Sequence, residues 1–493
     1  MTVLTAGFLR SGRRLPALVA GGRRAVLALA AFSTVATGPL SAQAQTAAAA
    51  GAIPGQIRDT EIEEILHREC DPVFAAAGLE PRIVQFDIFQ GEMNAFTVSA
   101  HEEAVATDLI MRTETPNQII GVMAHETGHA AGGHIERSGE IERAGMAPFL
   151  LTLGLGILAA AAGAPGAGAA LATSSQYFGT LGALGYNRQM EARADQAGIT
   201  YLNKAHISAR GLVDFLDAFR YEEVFDEARR FPYFQTHPIS SERIELMRRR
   251  AEEQPDYNKP DSPEAIAQYQ VMKAKLFGFI QPPQQTFMTY PESDTSFPAR
   301  YARAIAYYKE TETDKAVGLI DGLIKDYPDN PYLWELKGQV LFEAGRPKEA
   351  EPAHRRSVEL KPNAPLLQIN LAQSILAQED GKRADEAIAH LQKALAVEKD
   401  NAIAWGDMAQ AYDAKGDGGD ARLASAEARY AIGDMTQARI FAMRARELLK
   451  HDSPEWRRAT DIVLTANPSR NDLKAISGGA GYGAGVQVAR RAG

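Results

Sequence analysis

The feature that most constrains this chain is the segment His125-Glu126-Thr127-Gly128-His129, which is predicted to lie on a helix. Thr115 followed by Pro116 is typical of a helix start, and Gly132-Gly133 of a helix end. Four residues of helix turn through about 400°, so the two histidines share one face and can hold one metal ion. Glu126 would lie beside the open side of that ion, where a carboxylate can take up and return a proton. The fold must therefore bring at least one more ligand to this helix.

The best candidate for the third ligand is Glu191, which stands four residues before Asp195 on a second predicted helix. Two acids at this spacing repel each other mildly on a bare helix but are favourable beside a dication. Asp195 would then accept the second ring N–H of a ligand histidine and fix its tautomer. The alternative is a solvated charged face on which the acids pair with Arg188 or Arg193.

A further histidine, His237, precedes Pro238 in a predicted loop that enters a helix near Ser240 or Ser241. It could be a fourth, removable metal ligand, a donor to the oxyanion of a tetrahedral intermediate, or an ordinary loop histidine. Arg243, in the following helix, could pair with a carboxylate of the site.

Taken together, these motifs resemble peptidase family M48, which also matches Asn94-Ala95-Phe96 upstream and Thr236-His237-Pro238 downstream. The resemblance implies one zinc ion per chain, a catalytic acid/base and three metal ligands, which correspond to Glu126 and to His125, His129 and Glu191. It also implies that His237 can close the zinc site as a switch.

The resemblance further implies that the substrate lies along an edge strand at Asn94, Ala95 and Phe96, where an extended peptide could add as another strand. This chain departs from the family pattern just beyond that strand. It has Ser99-Ala100-His101-Glu102 where relatives tend to be rich in glycine. The detailed shape of the substrate cleft therefore does not follow from the resemblance.

The C-terminal part has a 34-residue period between Pro331 and Pro365 that fits the tetratricopeptide (TPR) pattern. One repeat matches directly at Trp334, Gly338, Leu341, Ala350 and Pro362. We expect an α+β fold, with a mostly helical zincin-like peptidase domain followed by an all-α TPR solenoid. An unrelated helical bundle is the alternative for the repeats. The predicted division is a signal peptide over 1–44, the peptidase domain over 45–252, a connector over 253–298, repeats over 299–452, and a helical end with a disordered tail over 453–493.

The N-terminus predicts export. It has five arginines and no acid in its first 24 residues, then an apolar run, and small residues at Ala42 and Ala44 that suit cleavage near Ala44. The chain carries 53 Lys+Arg against 62 Asp+Glu, a net charge of −9 that disfavours a nucleic-acid partner. Its single cysteine, Cys70, excludes an intramolecular disulfide and a cysteine-rich zinc site.

Residues 144–187 carry no charge, and Phe149–Gly163 within them is almost wholly apolar. A buried helical hairpin between the two zinc-bearing helices is one interpretation. A flap that touches a membrane or plugs the active site is the other. Because the apolar run is short for a span, we expect a peripheral protein rather than an integral one.

Together with the predicted export signal, the resemblance implies a periplasmic zinc endopeptidase that cleaves misfolded or stalled outer-membrane proteins. The resemblance adds chaperone-like support of outer-membrane assembly and contact between the repeats and the β-barrel assembly machinery. A non-enzymatic TPR assembly factor with a structural zinc site is the main rival. An integral membrane peptidase anchored by Phe149–Gly163 is the second.

Overall fold

The computed structural model describes residues 55–134, 137–162, 164–220, 231–378 and 381–477. Within these ranges the chain is mostly helical and has one small mixed sheet. The largely helical α+β class expected from the sequence is therefore present. The predicted export signal and residues 478–493 of the glycine-rich tail lie outside the described residues.

The sheet consists of β1 Gln56–Ile57, β2 Gln85–Phe89, β3 Ala95–Ser99 and β4 Glu102–Ala106, in the order β1-β2-β4-β3. Strands β2 and β4 are parallel, whereas the other neighbours are antiparallel. Short β-like runs at 83–89 and 95–98 in the sequence predict β2 and β3, whereas no such run predicts β4, which begins with two acids. Strand β3 forms an edge of the sheet and lies against the helix that carries His125.

The helices around this sheet enclose one apolar core. They are α1 Thr60–Ala77, α2 Thr107–Arg112, α3 Pro116–Ala131, α4 Ser138–Ala161, α5 Pro165–Lys204, α6 Arg210–Ala218, α7 Pro232–Thr236, α8 Ser241–Glu252, α9 Pro263–Ile280 and α10 Pro283–Thr289. Within the connector 253–298 the sequence pattern predicts one helix, Ala265–Phe277, and helix α9 contains it and extends it at both ends. Its Tyr269, Met272 and Leu276 belong to the same core, so the predicted connector packs against the preceding domain.

The remaining helices pack in succession, each against the next along the chain. They are α11 Phe297–Lys309, α12 Thr313–Asp326, α13 Pro331–Glu343, α14 Pro347–Leu360, α15 Pro365–Leu376, α16 Ala384–Val397, α17 Ala402–Lys415, α18 Gly418–Ala431, α19 Met435–Leu448, α20 Pro454–Thr465 and α21 Arg470–Ser477. The α13–α14 pair shows why a small residue is needed inside it. A Cβ on Gly338 would lie 2.1 Å from Cδ2 of the buried His354.

A buried charge cluster joins these helices to the N-terminal region. The Lys275 ammonium lies 2.7 Å from Asp59 and 3.0 Å from Glu61, and the Tyr301 hydroxyl donates to Glu61 at 2.8 Å. The three residues Lys275, Glu61 and Tyr301 are all buried. Because unpaired charges are costly inside a protein, this cluster fixes α11 against α1 and α9.

The uncharged segment 144–187, called the hairpin below, forms most of α4 and the first half of α5. Its two arms pack against each other, but their outer faces are exposed, with Leu151 66% and Leu158 67% accessible. The interpretation of this segment as a buried hairpin is therefore wrong, because no described residue covers these faces. By length and composition, Arg143–Ala161 is long and apolar enough to cross a membrane.

Candidate metal centre

Helix α3 presents the His125–His129 segment, and its ends lie where the sequence predicts them. The Thr115 hydroxyl accepts a hydrogen bond from the Gln118 backbone N–H at 3.3 Å, and Pro116 is the first helical residue. The helix ends at Ala131, and Gly133 then takes a positive φ of 60°. This left-handed conformation favours glycine and turns the chain away from the helix axis.

Helix α5 crosses α3 with the backbones nearly in contact. A Cβ on Gly128 would lie 2.6 Å from the Ala194 carbonyl oxygen, and a Cβ on Gly198 would lie 3.0 Å from the Ala124 carbonyl oxygen. Ala194 directly precedes Asp195 and lies three residues after Glu191. Glycine at these two positions therefore sets the distance between the histidines of α3 and the acids of α5.

We expect Gly128→Ala to weaken the metal centre, because the added methyl group must push α3 and α5 apart. Overpacking of this kind typically costs about 1–3 kcal/mol of stability. Thermal unfolding and zinc titration would measure the two effects. The matched control is Gly185→Ala on α5, where a Cβ meets no atom within 4 Å. Equal zinc affinity in both variants and the wild type would contradict this account.

Four side chains converge on one point between these helices. The nearest ligand atoms of His125, His129, Glu191 and His237 all lie within 4.8 Å of one another. His125 Nε2 is 3.1 Å from His129 Nε2 and 3.5 Å from the Glu191 carboxylate, which is 3.3 Å from His129 Nε2. His125 and Glu191 are buried, and the His129 side chain is 12% exposed.

These donors fit a zinc ion. Two imidazoles and one carboxylate are a known ligand set for catalytic zinc, with a further position left for water or substrate. The charge of Glu191 also suits a cation. Burial alone would raise the pKa of its carboxyl group, but His237 and Arg243 outweigh burial and hold that pKa well below its usual range. Glu191 is thus an anion at neutral pH, as a metal ligand must be.

Asp195 and Arg243 lie behind the candidate ligands and contact His125 and Glu191. Asp195 Oδ1 lies 2.9 Å from His125 Nδ1, the ring nitrogen that faces away from the convergence point. The Arg243 guanidinium donates two hydrogen bonds of 2.8 Å to Asp195 and lies 3.0 Å from Glu191. The alternative, a solvated face on which these acids pair with Arg188 or Arg193, is not found, because both acids are buried and pair with Arg243.

Glu126 lies beside the cluster rather than in it. Its side chain is 1% exposed, and burial raises the pKa of its carboxyl group to about 7. Among the described residues its Oε1 has no hydrogen-bond partner, and it lies 3.4 Å from His237 Nε2. A carboxyl group with a pKa near neutrality can both accept and release a proton.

His237 reaches the cluster from the turn between α7 and α8. Its Nδ1 is 3.2 Å from His125 Nε2 and 3.1 Å from the Glu191 carboxylate. The Tyr233 ring packs against it, with centroids 4.8 Å apart, and Ser240 caps α8 as one of the two predicted caps. The ordinary-loop interpretation is therefore wrong, because a buried ring among the other ligands is not a solvated loop histidine.

The predicted substrate strand has buried side chains. Asn94, Ala95 and Phe96 are all at most 6% exposed, so a peptide here would pair with the backbone of β3 rather than with these side chains. Asn94 Oδ1 is buried and has no hydrogen-bond partner among the described residues.

Two further residues, His134 and Thr97, contact the site, and the sequence patterns do not single them out. His134 Nδ1 lies 3.0 Å from Nδ1 of His129, and burial lowers the pKa of His134 to about 4, so it is neutral. Thr97 of β3 donates to the Glu126 backbone oxygen at 2.8 Å and so ties the sheet edge to α3. The position of His134, just after Gly132-Gly133, is a signal that could have identified it.

Comparison with known proteins gives matches to the region that contains the metal centre, and some of these matches extend past it. Residues 57–251 match the model of peptidase family M48. The beta-barrel assembly-enhancing protease of Escherichia coli K12 is 26% identical over 364 residues, which cover 72% of each chain. A Vibrio cholerae relative of the same description is 29% identical over 261 residues, 50% of this chain and 51% of its own length. The metalloprotease LoiP of E. coli K12 is 31% identical over 163 residues, 32% of this chain and 59% of LoiP.

Proposed function

We propose that this chain is a periplasmic zinc endopeptidase acting on misfolded or stalled outer-membrane proteins, with its peptidase domain over residues 57–251, which match the model of peptidase family M48. The observation that carries the proposal is the convergence of His125, His129 and Glu191 beside the buried carboxyl group of Glu126. The substrate class and compartment rest on the relatives named for β-barrel assembly.

In this proposal His125, His129 and Glu191 hold the zinc ion. When bound, zinc supplies Lewis acidity, which polarises the peptide carbonyl and makes water easier to deprotonate. Glu126 takes a proton from water through its free Oε1 and later delivers it to the leaving amine. Asp195 and Arg243 hold His125 and Glu191 in orientation, as outer partners of metal ligands do.

His237 serves as a latch that closes the site. Its Nδ1 faces both His125 Nε2 and Glu191, so its ring fills the space that a water or a substrate carbonyl would need. The same ring lies against Glu126, with its Nε2 3.4 Å from Glu126 Oε1. Substrate must therefore displace His237 before hydrolysis.

We expect His237→Ala to raise kcat/KM for an unfolded protein substrate by about tenfold, the factor for a closing interaction of about 1.4 kcal/mol. Initial rates at equal zinc occupancy would measure it. His206→Ala is the control, because His206 is an exposed histidine paired with Asp256 outside the cluster. A fall in kcat in the His237 variant would instead assign this residue to the oxyanion of the transition state.

The helices from Phe297 onward form a TPR solenoid that docks substrate or partner proteins. Helix pairs begin at Phe297, Pro331, Pro365, Ala402 and Met435, a repeat of 33 to 37 residues that supports this assignment. Successive pairs bury alanines between them, including Ala350, Ala387 and Ala421. The groove of such a solenoid would hold unfolded chains or contact the β-barrel assembly machinery.

The proposed activity is tested with an unfolded outer-membrane β-barrel protein as substrate. We expect cleavage of the unfolded form and sparing of the same protein folded in detergent. Removal of zinc with a chelator should stop cleavage, and added zinc should restore it. Cleavage that continues after zinc removal would contradict the proposal, as would equal cleavage of folded and unfolded substrate.

A further inference from the structure

The hairpin of residues 144–187 exposes apolar side chains that the mechanism leaves unused. Of the large apolar side chains that are exposed among the described residues, ten lie in the hairpin: Met146, Leu150, Leu151, Leu155, Ile157, Leu158, Tyr177, Phe178, Leu181 and Leu184. A helix that is apolar all round belongs either in a protein core or in a lipid bilayer. Because no described residue covers these faces, the core is excluded for this arrangement.

We propose that the hairpin inserts into a phospholipid bilayer and holds the metal centre at the membrane surface. The proposal goes beyond peptide cleavage and does not depend on it. Helix α4 has 24 residues, and the apolar part Arg143–Ala161 has 19, which at 1.5 Å per residue is about 28 Å. This length is close to the ~30 Å hydrocarbon thickness of a bilayer.

The packing between the two arms is of the kind that helices use in lipid. A Cβ on Gly145 would lie 2.8 Å from the Gly179 carbonyl oxygen, and a Cβ on Gly182 would lie 2.5 Å from the Ala144 carbonyl oxygen. Helices in lipid gain nothing from the hydrophobic effect between them, so they associate through small residues that allow close backbone contact. The arms can therefore stay paired after their outer faces enter lipid.

The Ser and Thr hydroxyl groups of the hairpin also suit a medium without water, because each is satisfied within its own helix. All five of its Ser and Thr hydroxyls donate to a backbone carbonyl three or four residues earlier in the same helix: Thr152, Thr173, Ser174, Ser175 and Thr180. An unsatisfied polar group costs several kcal/mol in hydrocarbon. The tip is uncharged as well, since residues 159–166 are only Ala, Gly and Pro.

Four arginines lie where the hairpin meets the rest of the protein. Arg137 and Arg143 lie at the base of α4, and Arg188 and Arg193 on the neighbouring part of α5 are likewise exposed. Arginines at such a boundary can contact anionic lipid headgroups. Glu191 lies only three residues beyond Arg188 on the same helix, so insertion places the metal centre about one helical turn from the headgroups.

The main test is flotation of the chain lacking residues 1–44 with vesicles of phosphatidylethanolamine and phosphatidylglycerol, at salt high enough to screen headgroup charge. We expect the wild type to float and the double variant Leu151→Glu/Leu158→Glu to bind at least about tenfold more weakly. The matched control is Val397→Glu/Leu448→Glu, whose original side chains are 61% and 63% exposed outside the hairpin. This control should float like the wild type, and all three proteins should unfold at similar temperatures.

A wild type that stays at the bottom of the gradient would overturn the proposal, and so would a hairpin variant that floats equally well. If the wild type does not float and the hairpin variant changes only the oligomeric state, the hairpin is an interface between copies of this chain and the proposal is wrong. Flotation does not measure cleavage, so a failure here is distinct from a failure of the proposed peptidase activity.

A second measurement reports depth. An environment-sensitive dye at Leu158→Cys should brighten on vesicles and be quenched by acyl-chain spin labels, while the same dye at Leu448→Cys should not respond. The native Cys70 is buried and does not compete for label. No response at position 158, or an equal response at both positions, would overturn the proposal.

Discussion

With Glu126 replaced by glutamine, the purified protein is expected to keep its zinc and its fold and to lose peptide hydrolysis. Glutamine has nearly the same shape as glutamate but cannot accept the proton from water. General acid/base groups typically contribute about 10² to 10⁴-fold to the rate, so kcat should fall by that factor. Steady-state cleavage of an unfolded protein, measured beside zinc content and thermal unfolding, would show this pattern.

The control for this substitution is Glu264→Gln, which changes an exposed carboxylate whose side chain is 76% accessible. It should leave cleavage unchanged. The Glu126→Gln variant also distinguishes a peptidase from the rival, an assembly factor with a structural zinc site. Under the rival, Glu126→Gln gives a normal cellular phenotype and deletion of residues 299–452 a severe one. Wild-type proteolysis by purified Glu126→Gln protein would contradict the assigned mechanism.

Replacing Glu191 with glutamine is expected to empty the metal centre. The substitution keeps the size of the side chain but removes the anion that faces His125, His129, His237 and Arg243. Loss of an outer partner of a metal ligand already costs about 10 to 100-fold in affinity, and loss of a direct ligand should cost more. Zinc titration by competition with a chelator would measure the change.

Glu191→Gln should also lower the free energy of unfolding of the metal-free protein. Removing one partner of a buried ion pair typically costs about 3–5 kcal/mol, because the other charge remains buried, and here that charge is Arg243. Asp195 still pairs with Arg243 and limits the loss. A glutamine variant that binds zinc as tightly as the wild type would contradict the proposed ligand set.

Local sequence signals predicted the elements that carry the site. The Thr115–Pro116 start and the glycines after Ala131 define α3 because capping depends on residues that are adjacent in sequence. The Ser240 cap of α8 was predicted for the same reason. Candidate ligands followed from helical spacing, because residues four apart necessarily share a face.

The features that could not be predicted from the sequence depend on contacts between distant segments or on what covers a surface. The neighbour of His129 is His134, and it comes close only because the chain turns at Gly133. Strand β4 escaped prediction because the buried Glu103 reads as a surface residue, although burial raises the pKa of its carboxyl group well above the usual range. The buried-hairpin interpretation was wrong because apolar composition alone does not say whether protein or lipid covers a helix.

The most direct test of the account is a crystal structure of the zinc-loaded chain with diffraction collected on both sides of the zinc absorption edge. The account predicts one anomalous peak in the peptidase domain, bonded to Nε2 of His125, Nε2 of His129 and the Glu191 carboxylate. Zinc bound elsewhere in the domain, or a peak at this place that does not include Glu191, would contradict it.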